Sequence, residues 1–423
     1  MKTITQIIWL LALIMIGCTK TGMRELKQQF PKSVTIHIKS ENPLALADAP
    51  VTLSIAKIKQ QAPTFNPDAY VVIANGQEIA SQVFDKNRDG IADEICCVVN
   101  IPANQTIALT VRYAESGKQP RTYKKRTQAE LSHKVGGKFV DRKYIGGEFQ
   151  NVDVLHVPPE HTDHSFDIRY EGPGWESDKV GYRFYLDWRN AIDIFGKKTT
   201  DMVLQNVGLD GFDSYHEMSD WGADVFKVGD TFGIGTFGIW YQDRGNRVTK
   251  TDSITCMIVA NGPVYSQIHT IYYGWQAGTN KVDLTADLSI WAGSRLTHCV
   301  LSTNGAMDNF CTGLAKAEHT EFFKLLPEHP DEWGYVALWG KQSLASDDDL
   351  LGIAVLFQGK QLQELTEDQL NQIVVLKADD DKADYYFLAA WGQEPGGIQT
   401  QDAFHEYLKQ TVIGLNHPIK IIM

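Results

Sequence analysis

The residues from Tyr182 to Arg189 alternate between apolar or aromatic side chains and charged or polar ones. The two sets are Tyr182, Phe184, Leu186 and Trp188, and Arg183, Tyr185, Asp187 and Arg189. Because successive side chains of a β-strand point to opposite faces, this pattern predicts a strand with one face in the core. The other face would present two guanidiniums, a phenol and a carboxylate, which suit an anionic, hydroxyl-rich ligand such as an acidic sugar. An antiparallel sheet with one hydrated face shows the same pattern without binding any ligand.

Aromatic and acidic residues just before this strand could complete a sugar-binding surface. Trp175 offers a flat indole face on which a sugar ring could stack, and Tyr170 and Glu176 supply a hydroxyl and a carboxylate close by in sequence. Together with Asp187 of the strand, these three residues are predicted substrate contacts.

A second cluster of chemically active residues lies in SYHEMSDWGAD, residues 214–224. It combines His, Glu, two Asp, Tyr and Trp without a helical or alternating period, which predicts a loop presenting side chains. His216 is the candidate acid or base, because imidazole titrates near neutral pH. Trp221 and Asp224 are candidate substrate contacts. An isolated histidine more often only hydrogen-bonds the backbone of a tight loop, but the polar groups around His216 favour a function.

Four segments of the chain resemble one family. They are SQVFDKNRDGIADE at 81–94, YEGPGWESDKVGYRFYLDWRNAIDIFGKK at 170–198, YHEMSDWGADVFKVGDTFGIG at 215–235 and DYYFLAAWGQE at 384–394. The family is one of uncharacterised-domain lipoproteins encoded in polysaccharide-degradation clusters of Gram-negative bacteria, and the resemblance covers nearly the whole mature chain. One branch is an oligosaccharide dehydratase in the breakdown of ulvan, a sulfated polysaccharide rich in rhamnose and uronic acid. The resemblance therefore implies a lyase that acts on acidic oligosaccharides, although that activity belongs to a single branch.

Removal of water across C4–C5 of a terminal uronate requires three kinds of group. The proton at C5 becomes acidic only when the neighbouring carboxylate is neutralised, a role that we assign to Arg183 and Arg189. A base at C5 and an acid at the C4 hydroxyl are also needed, and His216 and Tyr185 are predicted to share this proton transfer. Trp175 or Trp221 would stack on the sugar. This chemistry requires no cofactor, and a lyase that expels a sugar instead of water would use the same groups.

Two other functions fit the same residues. A glycoside hydrolase needs a pair of carboxylates, and the candidates are Glu171, Glu176, Asp187, Glu217 and Asp224. A lipoprotein that only binds oligosaccharides would need the aromatic and arginine side chains, and His216 would then be dispensable.

Three histidines precede the main motif, at positions 156, 161 and 164. Their spacing is interrupted by Pro158 and Pro159, so they do not share one helix face, and a metal site is the minor interpretation. His164 is also a reserve general base and a candidate substrate contact, because Asp163, Asp167 and Glu171 lie close in sequence.

The segment DKNRDGIADE, residues 85–94, opens like a calcium loop. Asp85, Asn87 and Asp89 stand at ligand positions 1, 3 and 5, and a glycine follows at position 6. Cys96 replaces the glutamate expected at position 12, so Asp93 or Glu94 would have to contribute a ligand to a structural calcium ion. The alternative is a loop without metal, in which Lys86 and Arg88 neutralise the carboxylates.

The first 18 residues, MKTITQIIWLLALIMIGC, read as a lipoprotein signal peptide with lipid attachment at Cys18. The expected location is the cell envelope, anchored to the outer or inner membrane through Cys18 and facing the periplasm rather than the cell surface. Five further cysteines, an odd number, are expected to be mostly buried free thiols.

The composition and the strand pattern indicate an acidic, all-β protein. A net charge of −12 argues against nucleic acid as a partner. Short β-branched strands predict an immunoglobulin-like sandwich over residues 24–118. A longer series of strands predicts a large antiparallel β-sandwich of the mutarotase (supersandwich) type over residues 130–423. Few helices are expected, and one of them has helical spacing at Phe404, Leu408 and Val412.

Overall fold

The computed structural model describes residues 22–210 and 214–423, and the predicted signal peptide with Cys18 lies outside them. The chain divides into two compact units. Unit 1 contains the residues up to Lys124 together with His417–Met423, and unit 2 is Lys125–Asn416.

Unit 1 is a sandwich of two antiparallel sheets. Residues 22–29 form helix α1, and the strands and the second helix are β1 (Lys32–Lys39), β2 (Leu46–Ser54), α2 (Ile55–Gln61), β3 (Tyr70–Ala74), β4 (Gln77–Ile79), β5 (Ser81–Phe84), β6 (Glu94–Ile101) and β7 (Thr106–Tyr113). One sheet contains the order β1-β7-β3-β4 and the other the order β2-β6-β5. Alternate residues such as Ile36, Val51, Ile95 and Val111 are fully buried in one core. The predicted sandwich is confirmed.

Unit 2 contains three larger antiparallel sheets. The nine-stranded sheet has the order β13 (Val154–His156), β20 (Ser253–Asn261), β21 (Tyr265–Ala277), β22 (Asn280–Trp291), β23 (Leu296–Thr303), β30 (Lys382–Trp391), β27 (Leu351–Gln358), β26 (Trp333–Gly340) and β25 (Thr320–Leu325). A five-stranded sheet, called the site sheet below, has the order β17 (Gly222–Asp224), β16 (Ile192–Lys197), β15 (Gly181–Phe184), β14 (Gly174–Ser177) and β8 (Thr127–Glu130). The third sheet has the order β19 (Gly245–Arg247), β18 (Ile234–Trp240), β24 (Phe310–Ala315), β29 (Asn371–Leu376) and β28 (Leu362–Glu367).

Two small two-stranded sheets are formed by residues that follow β8 of the site sheet in the chain. They are β9 (Ser132–Val135) with β12 (Glu148–Asn151), and β10 (Lys138–Val140) with β11 (Lys143–Ile145). Because the second pair lies between the two strands of the first, residues 132–151 form two nested hairpins.

One apolar core joins the three larger sheets of unit 2. It contains Trp175 and Tyr182 of the site sheet, Phe237 of the third sheet, and Leu284 and Phe387 of the nine-stranded sheet. An amphipathic sheet must bury its apolar face against another layer, and here the apolar faces of these sheets meet in one core. The predicted all-β class and large sandwich are confirmed.

Helix α3 (Gln401–Asn416) covers part of the opposite face of the nine-stranded sheet. Its buried residues are Phe404, Leu408 and Val412, the three that the helical spacing predicted. They pack against Trp339 and other residues of the sheet.

The end of the chain belongs to unit 1, so the predicted boundary of the second domain at residue 423 is wrong. Strand β31 (Lys420–Ile422) pairs with β1 and extends its sheet. The sequence could not show this, because a strand of three residues has too short a pattern to name its partner. At the other boundary, β8 begins at Thr127, before the predicted start of the second domain at residue 130.

The cysteines at 96, 97, 256, 299 and 311 are all buried and free, as the sequence predicted. In the part of the chain that the structure describes, no helix has the length and apolar character needed to cross a bilayer.

The Asp85 loop is held together by its own backbone. Both carboxylate oxygens of Asp85 accept N–H groups, from Arg88 (2.7 Å), Asp89 (3.3 Å) and Gly90 (2.7 Å). Asp93 accepts N–H groups from Lys86 (2.9 Å) and Asn87 (3.2 Å). Cys96 lies in buried β6 and cannot supply a ligand at position 12.

Because these backbone donors already satisfy the carboxylates, we predict that calcium is not needed to close the Asp85 loop. Treatment with a chelator should leave the Tm unchanged, and adding calcium should not raise it by more than the error of a melting curve. A fall of several degrees on chelation, restored by calcium and absent in Asp85→Ala, would instead identify the loop as a structural calcium site.

Candidate functional site

The polar face of the site sheet is buried, not hydrated. Tyr182 and Phe184 point into the main core as the alternation predicts, whereas Arg183 and Glu176 point to the opposite face. That face is covered by residues 198–210 and 214–221. The residues that form an apolar cluster between the sheet and this cover are Tyr170, Phe195, Val203, Leu204, Val207 and Tyr215. The charged residues of the sheet are therefore interior groups and must be satisfied by one another.

Arg183 lies at the centre of this buried face and is 2% exposed. Its guanidinium donates to Asp193 (2.7 Å), to Asp224 (2.5 Å) and to the hydroxyl of Tyr215 (2.7 Å), and it lies 3.6 Å from Glu171. Burial disfavours its charge, but the surrounding phenols and carboxylates raise the pKa of Arg183 well above its usual value. The prediction that Arg183 holds the substrate carboxylate is wrong, because its donors are already directed at the protein's own acceptors.

Asp224 connects Arg183 with His216. Its Oδ2 accepts the bond from Arg183 and lies 3.4 Å from Nδ1 of His216, whose side chain is 34% exposed. Burial raises the pKa of Asp224, the charge of Asp193 adds to this effect, and Arg183 opposes it. One guanidinium thus faces two buried carboxyl groups, an arrangement that favours a proton on one of them. A carboxyl group beside Nδ1 also orients an imidazole for proton transfer.

Tyr185 is buried between two guanidiniums. Its ring centroid lies 4.0 Å from Arg189 and 4.8 Å from Arg183, and its hydroxyl donates to Asp193. Burial is the main cause that raises the pKa of this phenol. The predicted role of Tyr185 in proton transfer to substrate is therefore wrong, because no side of the ring faces solvent and the hydroxyl proton is directed at Asp193.

Arg189 lies in a turn, because the predicted strand ends at Phe184. Asp187 closes the turn, with its carbonyl accepting the N–H of Asn190 and its carboxylate, fully buried, accepting the N–H and guanidinium of Arg189. Trp188 is consequently 48% exposed instead of buried. Asp187 positions Arg189 and is not accessible to a substrate, which corrects its predicted role.

The loop before the site sheet is strained. Four non-glycine residues have φ between +39° and +69°, namely His164, Phe166, Tyr170 and Glu171. Such left-handed conformations cost energy and concentrate at functional sites. The loop brings Asp163 and Glu171 to Arg189, at 2.8 and 2.7 Å, and only the Asp163 and His164 side chains in this group are substantially exposed.

The ligand atoms of Asp163, His164 and Glu171 lie within 4.8 Å of one another. The guanidinium of Arg189 already supplies a cation to two of them, so the chain itself neutralises the group. The possible metal site formed by His156, His161 and His164 is not assembled. His156 forms a hydrogen bond with Thr255 (2.9 Å), and His161 forms one with Asp167 (2.8 Å).

A narrow cleft of about 10 Å³ lies beside these groups. It is lined by Phe149, Phe166, Ile168, Tyr170, Glu171, Gly208 and Tyr215. Oε2 of Glu171 is buried and has no hydrogen-bond partner among the described residues, whereas Oε1 accepts from Arg189 and from the N–H of His164. Gly208 has a φ of +70°, and a Cβ there would lie 3.3 Å from Tyr170. The cleft therefore needs glycine at this position.

Two predicted substrate contacts belong to the interior. Trp175 is 1% exposed, stacks on Tyr182 and donates to Thr297 (2.9 Å), so its indole cannot reach a sugar. Glu176 forms a fully buried ion pair with Lys197 (2.5 Å) and accepts the N–H groups of 203 and 204 in the covering segment. Both predictions are corrected, because the aromatic and charged residues that suggested a surface instead build the sheet's two buried faces.

The remaining predicted contacts differ in their access. Trp221 is half-buried with its edge against Phe195 (5.9 Å), and Tyr170 is 3% exposed but lines the cleft. The sequence interpretation did not single out Phe149, Phe166 or Asp193. Asp193 could have been found, because it alternates with the apolar residues of the strand at 192–197.

The model of a domain of unknown function, DUF4861, matches residues 38–421. The chain belongs to this family. The predicted membership of an uncharacterised-domain family is thus confirmed, and the link to the dehydratase branch stays a prediction. No curated protein matches the sequence.

Among solved structures, the DUF4861 chain is similar to a protein in glycosyl hydrolase family 38 from Enterococcus faecalis, with 10% identity and a TM-score of 0.45 over 92% of this chain and 47% of that one. An alpha-mannosidase from Enterococcus faecalis V583 gives 10% identity and a TM-score of 0.44, over 92% and 46%. The chain spans about half the length of these structures.

We predict that Lys197→Met lowers the free energy of unfolding by about 3–5 kcal/mol, because it leaves the carboxylate of Glu176 buried without a partner. Chemical denaturation would measure the change. Lys198→Met, at the exposed neighbouring position, is the matched control and should change stability by no more than about 0.5 kcal/mol. Equal stability of the two variants would contradict the interior role of the Glu176–Lys197 pair.

The raised pKa of Asp224 predicts a pH dependence of stability. Above about pH 4 the unfolded state ionises this group while the folded state keeps its proton, so the free energy of unfolding should fall as pH rises, by up to about 1.4 kcal/mol per pH unit. Denaturation between pH 4 and 6 should show a shallower fall for Asp224→Asn than for the parent. Asp331→Asn, at an exposed site, should keep the parental slope, and parallel curves for all three proteins would refute the shift.

Proposed function

We propose that the protein is a carbohydrate-active lyase that removes water across C4–C5 of a terminal uronate in an oligosaccharide. The observation that carries the proposal is the chain of contacts from buried Arg183 through Asp224 to half-exposed His216. It holds an imidazole at the surface with a carboxyl group behind it, as general acid–base catalysis requires.

His216 is the group that accepts the C5 proton in this proposal. The imidazole takes the proton, the electron pair of the C–H bond forms the C4=C5 double bond, and the C4–O bond breaks as the hydroxyl group leaves. Asp224 positions the imidazole through the contact between its Oδ2 and Nδ1 of His216. Arg183 does not touch substrate and acts as a positioning residue, because it fixes Asp224.

Tyr215 replaces Tyr185 as the acid for the departing C4 hydroxyl. Tyr215 lines the cleft and its oxygen accepts an N–H of Arg183 (2.7 Å). Burial raises the pKa of Tyr215, so the phenol keeps its proton at neutral pH until the leaving group takes it. The departing hydroxyl then leaves as water.

Arg189 neutralises the substrate carboxylate. Of its three carboxylate partners, Asp187 and Glu171 are buried, whereas the side chain of Asp163 is 29% exposed. A sugar carboxylate that displaces Asp163 would receive the same guanidinium N–H group. Arginine is suited to this exchange because its planar group binds carboxylates bidentately.

A glycoside hydrolase is the second candidate, and one observation favours it. Glu171 and Asp224 both face the guanidinium of Arg183, at 3.6 and 2.5 Å, and burial raises the pKa of Asp224. Two neighbouring carboxyl groups, one of them held protonated, are the pair that glycoside hydrolysis uses. The two reactions differ in product, because elimination creates a conjugated double bond and hydrolysis creates a new reducing end.

We predict that the protein generates new ultraviolet absorbance with oligosaccharides that end in a uronate. His216→Ala should lower kcat by roughly 10²- to 10⁴-fold, the usual contribution of a proton-transfer group. Arg189→Lys should raise KM more than it lowers kcat, because it removes bidentate binding. His329→Ala, at an exposed histidine of the same unit, is the control.

Three other outcomes would reject the elimination. Full activity of His216→Ala removes the assigned base. A new reducing end without ultraviolet absorbance, lost in Glu171→Gln and Asp224→Asn, identifies a hydrolase. Oligosaccharide binding that survives His216→Ala, with no product by mass spectrometry, identifies a binding lipoprotein.

A further inference from the structure

Four basic residues lie on the two nested hairpins beside the cleft. Lys134 is on β9, Lys138 on β10, Lys143 on β11, and Arg142 in the two-residue turn between β10 and β11. Among residues 22–210 and 214–423, no carboxylate oxygen lies within 4.0 Å of the charged nitrogens of these four side chains. The arginines of the buried site each contact two or more carboxylates, so the hairpin cations differ from them in having no internal counter-charge.

Two of these lysines stand over aromatic rings that line the cleft. The Lys134 ammonium lies 5.1 Å from the centroid of Phe149, and the Lys143 ammonium lies 5.5 Å from that of Phe166. Both rings line the cleft that contains Glu171. Lys134 and Lys143 therefore lie next to two rings of the cleft wall.

Backbone contacts fix the hairpins to the strained loop. The N–H of Tyr144 donates to the carbonyl of Ser165 (2.7 Å), and the N–H of Lys134 donates to that of Asp167 (2.7 Å). At the base of the inner hairpin, Gly136 and Gly146 have φ of +89° and +76°, a conformation that lets the chain turn sharply there. The hairpin therefore has a defined position relative to Phe166 and the cleft.

The charge of the buried site makes these cations significant. Four carboxyl groups, those of Glu171, Asp187, Asp193 and Asp224, share the two guanidiniums of Arg183 and Arg189, and Asp224 also lies beside His216. The interior therefore carries more carboxyl groups than guanidiniums. A ligand with several anionic groups needs cations outside that interior. The hairpins supply them on a chain whose net charge is −12.

We propose that Lys134, Lys138, Arg142 and Lys143, with the rings of Phe149 and Phe166, bind the anionic groups of the sugars that follow the terminal residue, along the surface beside the cleft. This inference rests on the proposed function and names its substrate class as an oligosaccharide with several carboxylate or sulfate groups. Aromatic rings next to cations suit such a chain, because a sugar ring can lie against the ring face while its anionic group meets the ammonium. An anionic lipid surface would meet the same cations, but it would not use rings that face the cleft.

Binding of hexagalacturonate, measured by calorimetry at low and at moderate salt, tests the proposal. The double variant Lys138→Gln/Lys143→Gln removes two exposed charges and keeps side-chain length. It should bind roughly three- to twentyfold more weakly than the parent and show a smaller salt dependence. Lys324→Gln/Lys409→Gln, two exposed lysines elsewhere in unit 2, should bind like the parent. Cellohexaose, which has no charge, should not distinguish the variants.

The results separate failure of this surface from failure of the lyase. If the double variant loses affinity while even the parent forms no ultraviolet product, the binding surface stands and the elimination falls. If the parent forms product and the double variant keeps its Kd and KM, the surface falls and the elimination stands. No binding of hexagalacturonate by the parent, or charge-dependent binding only to phosphatidylglycerol-containing vesicles, overturns the surface. The vesicles are included because Val140 and Ile145 of the same hairpin are exposed.

Discussion

The buried guanidinium of Arg183 is the constraint on which the site depends. A permanent charge in a protein interior is strongly unfavourable unless opposite charges and hydrogen-bond acceptors surround it. The site sheet supplies them through its register, because Asp193 of β16 lies directly opposite Arg183 of β15 and Asp224 follows on β17. A shift of one residue in either pairing would turn these carboxylates into the apolar core and leave the guanidinium unpaired.

The surroundings of Arg183 explain why the neighbouring loops have their conformations. Tyr215 and Glu171 both reach the guanidinium from outside the sheet, and the backbone of Glu171 has a φ of +69°. The energy of this strained conformation is offset by the ion pairs that Glu171 makes with two arginines. The same contacts place His216, the residue after Tyr215, beside Asp224, so an internal charge network determines the position of the exposed imidazole.

The structure separates negative and positive charge within unit 2. Carboxylates dominate the buried face of the site sheet, whereas the nested hairpins carry cations that no carboxylate of the described residues neutralises. This separation suits an acid–base centre that must hold a shared proton, together with an outer surface that attracts an anionic chain. The sequence analysis assigned the binding of the anionic ligand to Arg183 and Arg189. The structure gives Arg183 an internal role, and in our proposal Arg189 meets the terminal carboxylate while Lys134, Lys138, Arg142 and Lys143 attract the rest of the chain.

The sequence by itself determined the class of fold and the period of its elements. The alternation at 182–186, the spacing of Phe404, Leu408 and Val412, and the buried free thiols all follow from local pattern, because the period of a strand or helix is a property of a few neighbouring residues. The family also follows from sequence. The sequence analysis named Arg183, His216 and Asp224 as site residues, and the structure brings Asp224 into contact with both of the others.

Only the tertiary structure decided what covers each face. Periodicity divides a strand into two faces but does not show whether the polar face meets water or a returning segment of the chain. The sequence therefore predicts surface roles for Trp175, Glu176, Arg183 and Tyr185. Residues 198–210 and 214–221 cover that face through contacts between residues far apart in sequence. The same limit applies to β31, whose partner β1 lies almost 400 residues earlier in the chain, at the first strand of the fold. Local pattern carries no information on such distant partners, and the assembled sheets select them by burial and charge pairing.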